Sequence, residues 1–323
     1  MNNLTLKQLR YVEALALHGH FGRAADACAI SQPALSMQIK ELEQSLGAAL
    51  FERSARQVHL TNFGKEFVRR ARDILRAVDA LGDLAQASRD RLVGPLRMGV
   101  IPTVAPYLLP TIIGNLTRLY DGLDIHVRET LTPKLIQELA DGRLDTAIVA
   151  LPVSEPLFTE VALFTEEFVL VRPGEDEGKP VPDRETLREM RLLLLEEGHC
   201  FRDQALAFCN MHSVLTRELL DGSSLSTLVQ MVGAGIGVTL IPEMAVAMET
   251  RSASVSIARF RSPQPSRTIG MIWRKRSPLV AQLLQISEVV RDSADMLRER
   301  HSAIASPPAP RARFRAGRAH PAP

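Results

Sequence analysis

The chain has 323 residues, 46% hydrophobic and 24% charged, enough to bury a large core divided among two or three domains. No apolar run reaches the ~18 to 20 residues of a membrane span, and the opening MNNLTLKQLRYVEA lacks the apolar stretch of a secretory signal. Three cysteines are too few for a secreted disulfide scaffold, so the expected location is the cytoplasm. The net charge of +2 is uneven: residues 1–72 carry +4, and residues 304–323 add Arg311, Arg313, Arg315 and Arg318 without an acid. The stretch between them is net −6, so the basic head suits a polyanion partner.

The head reads as short helices. In HFGRAADACAISQPALSMQIKELEQSLG, Phe21, Ala24, Ala25 and Cys28 fall at i, i+3, i+4 and i+7, one apolar stripe. After a break at Ala29 and Ile30, Ser31 offers its hydroxyl as an N-cap and Pro33 sits in the first turn, so a second helix starts at Gln32. Leu35, Ile39, Leu42 and Leu46 fall on one arc of that helix, with Pro33, Ser36, Met37 and Lys40 on the opposite arc. Two helices, a tight turn and a small, polar, basic face describe a helix-turn-helix, and LFERSARQVHLTNFG adds a hairpin-like wing with Arg53 and Arg56.

Thr61 caps a long helix expected to run to about Arg89. Its Phe67, Ala71, Ile74, Val78, Leu81 and Ala85 form a heptad seam, the mark of a dimerisation linker, before Gly94-Pro95 breaks the chain. From Leu96, strand-like runs (LRMGVI, DIHVRE, DTAIVA, EEFVLV, RLLLLE, VLTREL, IGVTLI, TIGMIW) alternate with helical segments, which predicts an α/β region with mainly parallel sheets and two lobes around a cleft. The glycines of GAGIG, residues 233–237, follow a helical run and precede a strand, so they cap a helix and do not form a dinucleotide site. The tail from 304 to 323, rich in Pro, Ala and Arg, reads as disordered.

The stretch EEGHCFRDQALAFCNMH, residues 196–212, holds Cys200 and Cys209. Core packing is one reading, and it suits Cys28 on its alanine-rich stripe. It suits Cys200 poorly, because His199, Arg202 and Asp203 surround that residue with polar groups. A metal site built from His199, Cys200, Cys209 and His212 lacks the usual ligand spacing, and two of its ligands are adjacent. A redox role accounts for more of the residues: a thiolate is the nucleophile toward peroxide, and Arg202 and His199 are positioned by sequence to favour it.

Residues 4–64, from LTLKQLRYVEA to HLTNFG, resemble the DNA-binding head of LysR-type transcriptional regulators. IPTVAPYLLP, GHCFRDQALAFC, MVGAGIGVTLIP and RTIGMIWRKRSPL further resemble the peroxide-sensing members of that family. The likeness covers about residues 4 to 300, and the basic tail lies outside it. It implies an α/β protein with an N-terminal winged helix-turn-helix (1–61), a linker dimerisation helix (62–92), and a two-lobed regulatory domain like the periplasmic binding proteins. Lobe I would be 93–165 and 268–303, and lobe II 166–267, with the chain crossing near residues 165 and 267. Gln32, Pro33 and Ser36, with Met37 and Lys40 on the same face, would approach base edges in the major groove, with Arg53 and Arg56 on phosphate or in the minor groove.

The resemblance also implies hydrogen peroxide as the signal, double-stranded promoter DNA and RNA polymerase as partners, and assembly as a dimer of dimers. No cofactor and no metal are expected. Cys200 would become a sulfenic acid, which Cys209 would resolve as a disulfide. If the intervening segment is helical when reduced, nine residues at ~1.5 Å rise hold the two Cα atoms roughly 13 Å apart. A disulfide tolerates at most about 7 Å, so closing it remodels that segment. Thr103 and Thr132 would lie near the thiol, with Arg267 as a further neighbour. The rivals are a family member answering to an organic effector in the cleft and a thiol peroxidase, and the DNA-binding head disfavours the peroxidase.

Overall fold

The computed structural model describes residues 4–53, 58–87, 92–209 and 221–305. The head comprises α1 (Leu6–His18), α2 (Phe21–Ala27), α3 (Gln32–Leu46) and the antiparallel wing β1 (Phe51–Arg53) with β2 (Val58–Leu60). Local chemistry fixes its helix ends. Thr5 and Gln8 form a reciprocal capping box at α1, and the Ser31 hydroxyl accepts the Ala34 N–H at 3.4 Å with Pro33 just inside α3. Leu35, Ile39 and Leu42 are buried against Val12, Leu15, Ala24 and Ala25, as the stripe predicts.

The linker helix α4 (Asn62–Ala87) starts where the Thr61 hydroxyl accepts the Gly64 N–H at 2.8 Å. The predicted seam divides along its length. Ala71 is buried in the same chain beside Leu9 and Leu75, with Phe67 packed against them, whereas Ile74 and Leu81 stand 44% and 66% exposed. The apolar face of α4 thus serves two surfaces, its own head near the start and an open one further on.

The regulatory region contains β3 (Gly94–Val100), α5 (Ala105–Leu119), β4 (Leu123–Glu129), α6 (Thr132–Ala140), β5 (Thr146–Leu151) and the sixteen-residue β6 (Phe158–Pro173). Beyond β6 lie α7 (Arg184–Glu189), β7 (Leu194–Leu195), α8 (Cys200–Phe208), β8 (Asp221–Gly222), α9 (Leu225–Gly233), β9 (Thr239–Pro242) and α10 (Val246–Glu249). β10 (Val255–Ala258), β11 (Ser266–Arg274) and α11 (Val280–Ala305) complete the chain. The strands run β10-β6-β11-β5-β3-β4, with β9 also on β6.

The expectation of mainly parallel sheets is corrected here. Only β3 pairs in parallel within this sheet, with β4 and β5, while β6, β9, β10 and β11 pair antiparallel. The cause is that the sixteen-residue β6 and β11 run in opposite directions side by side. Phe158–Glu167 of β6 pairs with β11, and from Phe168 its pairing passes to β9 and β10. β6 alone thus joins β11 at one end to β9 and β10 at the other, and one continuous apolar core runs through the region. The 233–237 glycines end α9 and lead to β9, with Gly235 at φ +76, as expected of a helix cap. VLTREL, residues 214–219, lies outside the described residues. No helix among the described residues is long and apolar enough to cross a membrane.

Candidate functional site

On α3, Gln32, Pro33, Met37 and Lys40 are exposed and Ser36 is half-buried, on the side opposite the Leu35, Ile39 and Leu42 anchors. Met37, at 56% exposure, stands free of any core. A helix N-terminus carrying small and hydrogen-bonding side chains, with its backbone firmly packed behind, is the form a major groove admits. Arg53 ends β1 at the wing, and Arg56 lies outside the described residues.

The thiol region is built at the turn into α8, against the start of α6 and the side of β11. Gly198, at φ +93, turns the chain into α8, and a Cβ there would meet the Leu131 Cδ1 at 3.0 Å. That close approach brings the start of α6, with Thr132 as its first residue, against the turn that carries His199 and Cys200. His199 is the N-cap of α8 and is buried, and burial holds its imidazole below the ordinary value against the opposing charge of Glu196. Cys200, half-buried, is the first helical residue of α8.

Next to Cys200, Phe201 packs its ring under the Arg267 guanidinium at 5.2 Å and edge-on to Phe168 at 4.8 Å. Arg267 is buried at its crossing point on β11. It donates to Glu166 Oε1 at 2.7 Å, to the Thr103 hydroxyl at 2.7 Å and to the Thr103 carbonyl at 3.0 Å. Burial pushes the Glu166 carboxyl up despite the pull of Arg267. Thr103, Arg267 and Phe201 thus form one contact chain ending at the residue after Cys200. The Thr132 hydroxyl oxygen is buried and, among the described residues, has no hydrogen-bond partner. Such an atom costs about 1 to 3 kcal/mol unless a small polar molecule satisfies it.

Of two sequence-predicted neighbours, one is engaged elsewhere and the other is exposed. Arg202 is buried and donates to the Leu195 carbonyl at 2.7 Å and to Asp221 Oδ1 at 2.6 Å, tying α8 to β7 and β8. Asp203 is exposed on the first turn of α8. At the other end, Cys209 caps α8 and is fully buried, and burial pushes its thiol up to about 11 against Arg188 and Arg184. The Arg188 Nε donates to the Cys209 carbonyl at 2.7 Å. His212 lies outside the described residues, and these show no cluster of metal ligands.

Sequence reasoning missed Glu166 and Phe201, and also Tyr107, whose hydroxyl donates to Glu249 at 2.6 Å across the lobes. The available signals were weak: an acid opening the apolar run EEFVLV, and an aromatic beside a cysteine.

Two family models match the chain: "Bacterial regulatory helix-turn-helix protein, lysR family" over residues 6–65 and "LysR substrate binding domain" over residues 89–295. A probable hydrogen peroxide-inducible genes activator of Streptomyces viridosporus is 43% identical over 296 residues, 90% of this chain and 94% of that one. The DNA-binding transcriptional dual regulator OxyR of Escherichia coli K12 is 41% identical over 297 residues, 90% and 96% of the two chains. Among solved structures, a full-length cysteine-to-aspartate variant of Pseudomonas aeruginosa OxyR superposes with a TM-score of 0.70 at 37% identity, covering 90% of this chain and 95% of that one. A peroxide-bound cysteine-to-serine variant of Corynebacterium glutamicum OxyR gives 0.65 at 33%, covering 93% and 95%. The chain belongs to the LysR family of bacterial regulatory proteins and, within it, groups with the OxyR proteins.

Proposed function

We propose that this chain is a cytoplasmic transcription regulator that binds promoter DNA through α3 and its wing and answers to hydrogen peroxide through Cys200. The observation that carries the reading is the asymmetry across α8. Cys200 opens the helix, half-buried and one residue before Phe201, whose ring meets Arg267, and Cys209 closes it, fully buried as a neutral thiol. The likeness to named peroxide-inducible activators supports the same reading.

In the proposed reaction the Cys200 thiolate attacks one peroxide oxygen. The S–O bond forms, the O–O bond breaks, and the departing hydroxide takes a proton to leave as water. In this reading the Thr132 hydroxyl, the Thr103–Arg267 pair and His199, the N-cap of α8, serve the peroxide at this turn. Cys209 then attacks the sulfenic sulfur, so the S–S bond forms and the hydroxyl departs as water with the Cys209 proton. With the Cα atoms roughly 13 Å apart along α8, closure must unwind the helix. That remodelling is the signal carried to the subunit contacts.

We assign residues 1–61 to the DNA-binding head, 62–92 to the dimerising linker, 93–165 with 268–303 to lobe I, and 166–267 to lobe II. The assembly is a dimer of dimers that engages RNA polymerase. A transcription assay with purified protein, promoter DNA and polymerase tests the whole reading. The wild type should change promoter output on adding peroxide, Cys200→Ser should not respond, and Ser36→Arg should lose specific DNA binding while remaining folded. A Cys200→Ser protein that responds normally would overturn it.

A further inference from the structure

An open cavity of 840 Å³ lies on lobe II, away from the Thr103–Arg267 hub, and no function above uses it. Its walls come from β6, α7, the end of α8 at Phe208 and the loop through Phe260 and Arg261. The acids that line it are already occupied: Asp176 pairs with Lys179, and Asp183 accepts the Thr186 N–H at 2.8 Å as the cap of α7. Arg172 is buried and donates to the Ser256 hydroxyl at 3.2 Å and the Lys179 carbonyl at 2.9 Å. Arg184 and Arg261 remain, and among the described residues neither has a carboxylate partner. The Arg184 guanidinium stacks 4.8 Å over the Phe208 ring, and Phe208 meets Phe260 edge-on at 4.9 Å and 65°. Positive rim groups beside an aromatic wall select an anion with a flat apolar body.

We infer that this cavity binds a small aromatic carboxylate, its carboxylate on Arg184 and Arg261 and its ring against Phe208 and Phe260, and that the occupant restrains the Cys209 end of α8. The second clause rests on the peroxide-sensing reading proposed above. Phe208 directly precedes Cys209, and Arg188, one turn along α7 from Arg184, holds the Cys209 carbonyl. A ligand packed on Phe208 stabilises the helical end that disulfide closure must take apart. An occupant that must leave before the helix end opens slows closure, and by linkage the oxidised form binds it more weakly.

Benzoate and inorganic phosphate are the probes, titrated by calorimetry into reduced full-length protein. Benzoate should bind. The paired substitution Arg184→Gln with Arg261→Gln, on exposed side chains that leave the core intact, should weaken it by about tenfold or more. Phosphate should bind much more weakly, for lack of a ring to pack. No benzoate binding, binding unaffected by the paired substitution, or phosphate binding as tightly as benzoate would each overturn the site. In a second arm, rapid-quench mass spectrometry follows Cys200–Cys209 closure after peroxide. Saturating benzoate should slow closure severalfold in the wild type and leave the paired variant unaffected. Benzoate that binds without slowing closure overturns the restraint on α8. Absence of closure in ligand-free wild type overturns the peroxide reading instead, and the titration still decides the site.

Discussion

The Arg267 guanidinium lies 5.2 Å over the ring of Phe201, the residue that follows Cys200, while the same guanidinium bonds Thr103 and Glu166 on two other elements. A single buried cation thus joins α8, β6 and the segment before α5 at the lobe crossing. Arg267→Ala removes the counter-charge and leaves Glu166 a buried, uncompensated carboxyl. It should destabilise the protein by about 3 to 5 kcal/mol, as breaking one side of a buried ion pair does. Glu166→Gln leaves the Arg267 charge without its carboxylate but keeps both Thr103 bonds and a neutral acceptor at 166, so it should cost less. Urea unfolding of both variants, reduced, checks the ordering, and equal losses would deny Arg267 its hub role.

Gly198→Ala places a side chain at φ +93 and a Cβ 3.0 Å from Leu131. The expected loss is about 1 to 2 kcal/mol from the backbone alone, with slower peroxide consumption as the turn bearing Cys200 shifts. Adding Leu131→Ala relieves the contact but not the backbone, so it should not restore stability. Full recovery in the double variant would assign the effect to crowding.

Ile74→Asp tests the linker. Because Ile74 is 44% exposed in the single chain, the substitution should leave each subunit within about 0.5 kcal/mol of wild-type stability. A carboxylate at the seam should nonetheless dissociate the dimer and lower DNA affinity. Sedimentation velocity at matched concentration reads this. Ala71→Asp, buried beside Leu9 and Leu75, should instead unfold the head.

How much of this was readable beforehand depends on how local each feature is. The start of α3 was legible because Ser31 and Pro33 fix it within a few residues, and the α3 core stripe because its period repeats. The linker seam was legible as a pattern, but not its division, since nothing within α4 announces that α1 covers Ala71 and leaves Ile74 bare. The first half of β6 was missed because FTEVALFT interrupts its apolar residues with an acid and threonines, and sheet direction was misjudged because crossing strands look like any others in sequence. At the site, Cys200 and Cys209 were visible by spacing, whereas the Arg267–Thr103 pair joins residues 164 positions apart. Arg202, read as a neighbour of the thiol, is held by Asp221, a partner that only folding supplies.

Burial raises the Cys209 thiol from 9.0 to about 11. Between those values the unfolded chain releases the proton while the fold retains it, so stability is intact below about pH 9 and falls as pH rises toward 11. The loss amounts to about 2 to 3 kcal/mol. Cys209→Ala should be less stable at neutral pH through lost packing, yet show a shallower decline over this window, so that the two proteins converge toward pH 11. Parallel unfolding curves for the two proteins from pH 8.5 to 11, under reducing conditions, would contradict the buried neutral thiol.

The central claim is that peroxide links two thiols that the reduced helix holds apart. Mass spectrometry of the purified full-length protein after one equivalent of hydrogen peroxide, with peptide mapping and hydrogen exchange on the same sample, measures this directly. The account predicts a Cys200–Cys209 disulfide, Cys28 still reduced, and lost exchange protection across residues 200–208. A protein that takes up one peroxide with Cys200 and Cys209 unlinked, or links them with α8 protection unchanged, would contradict it.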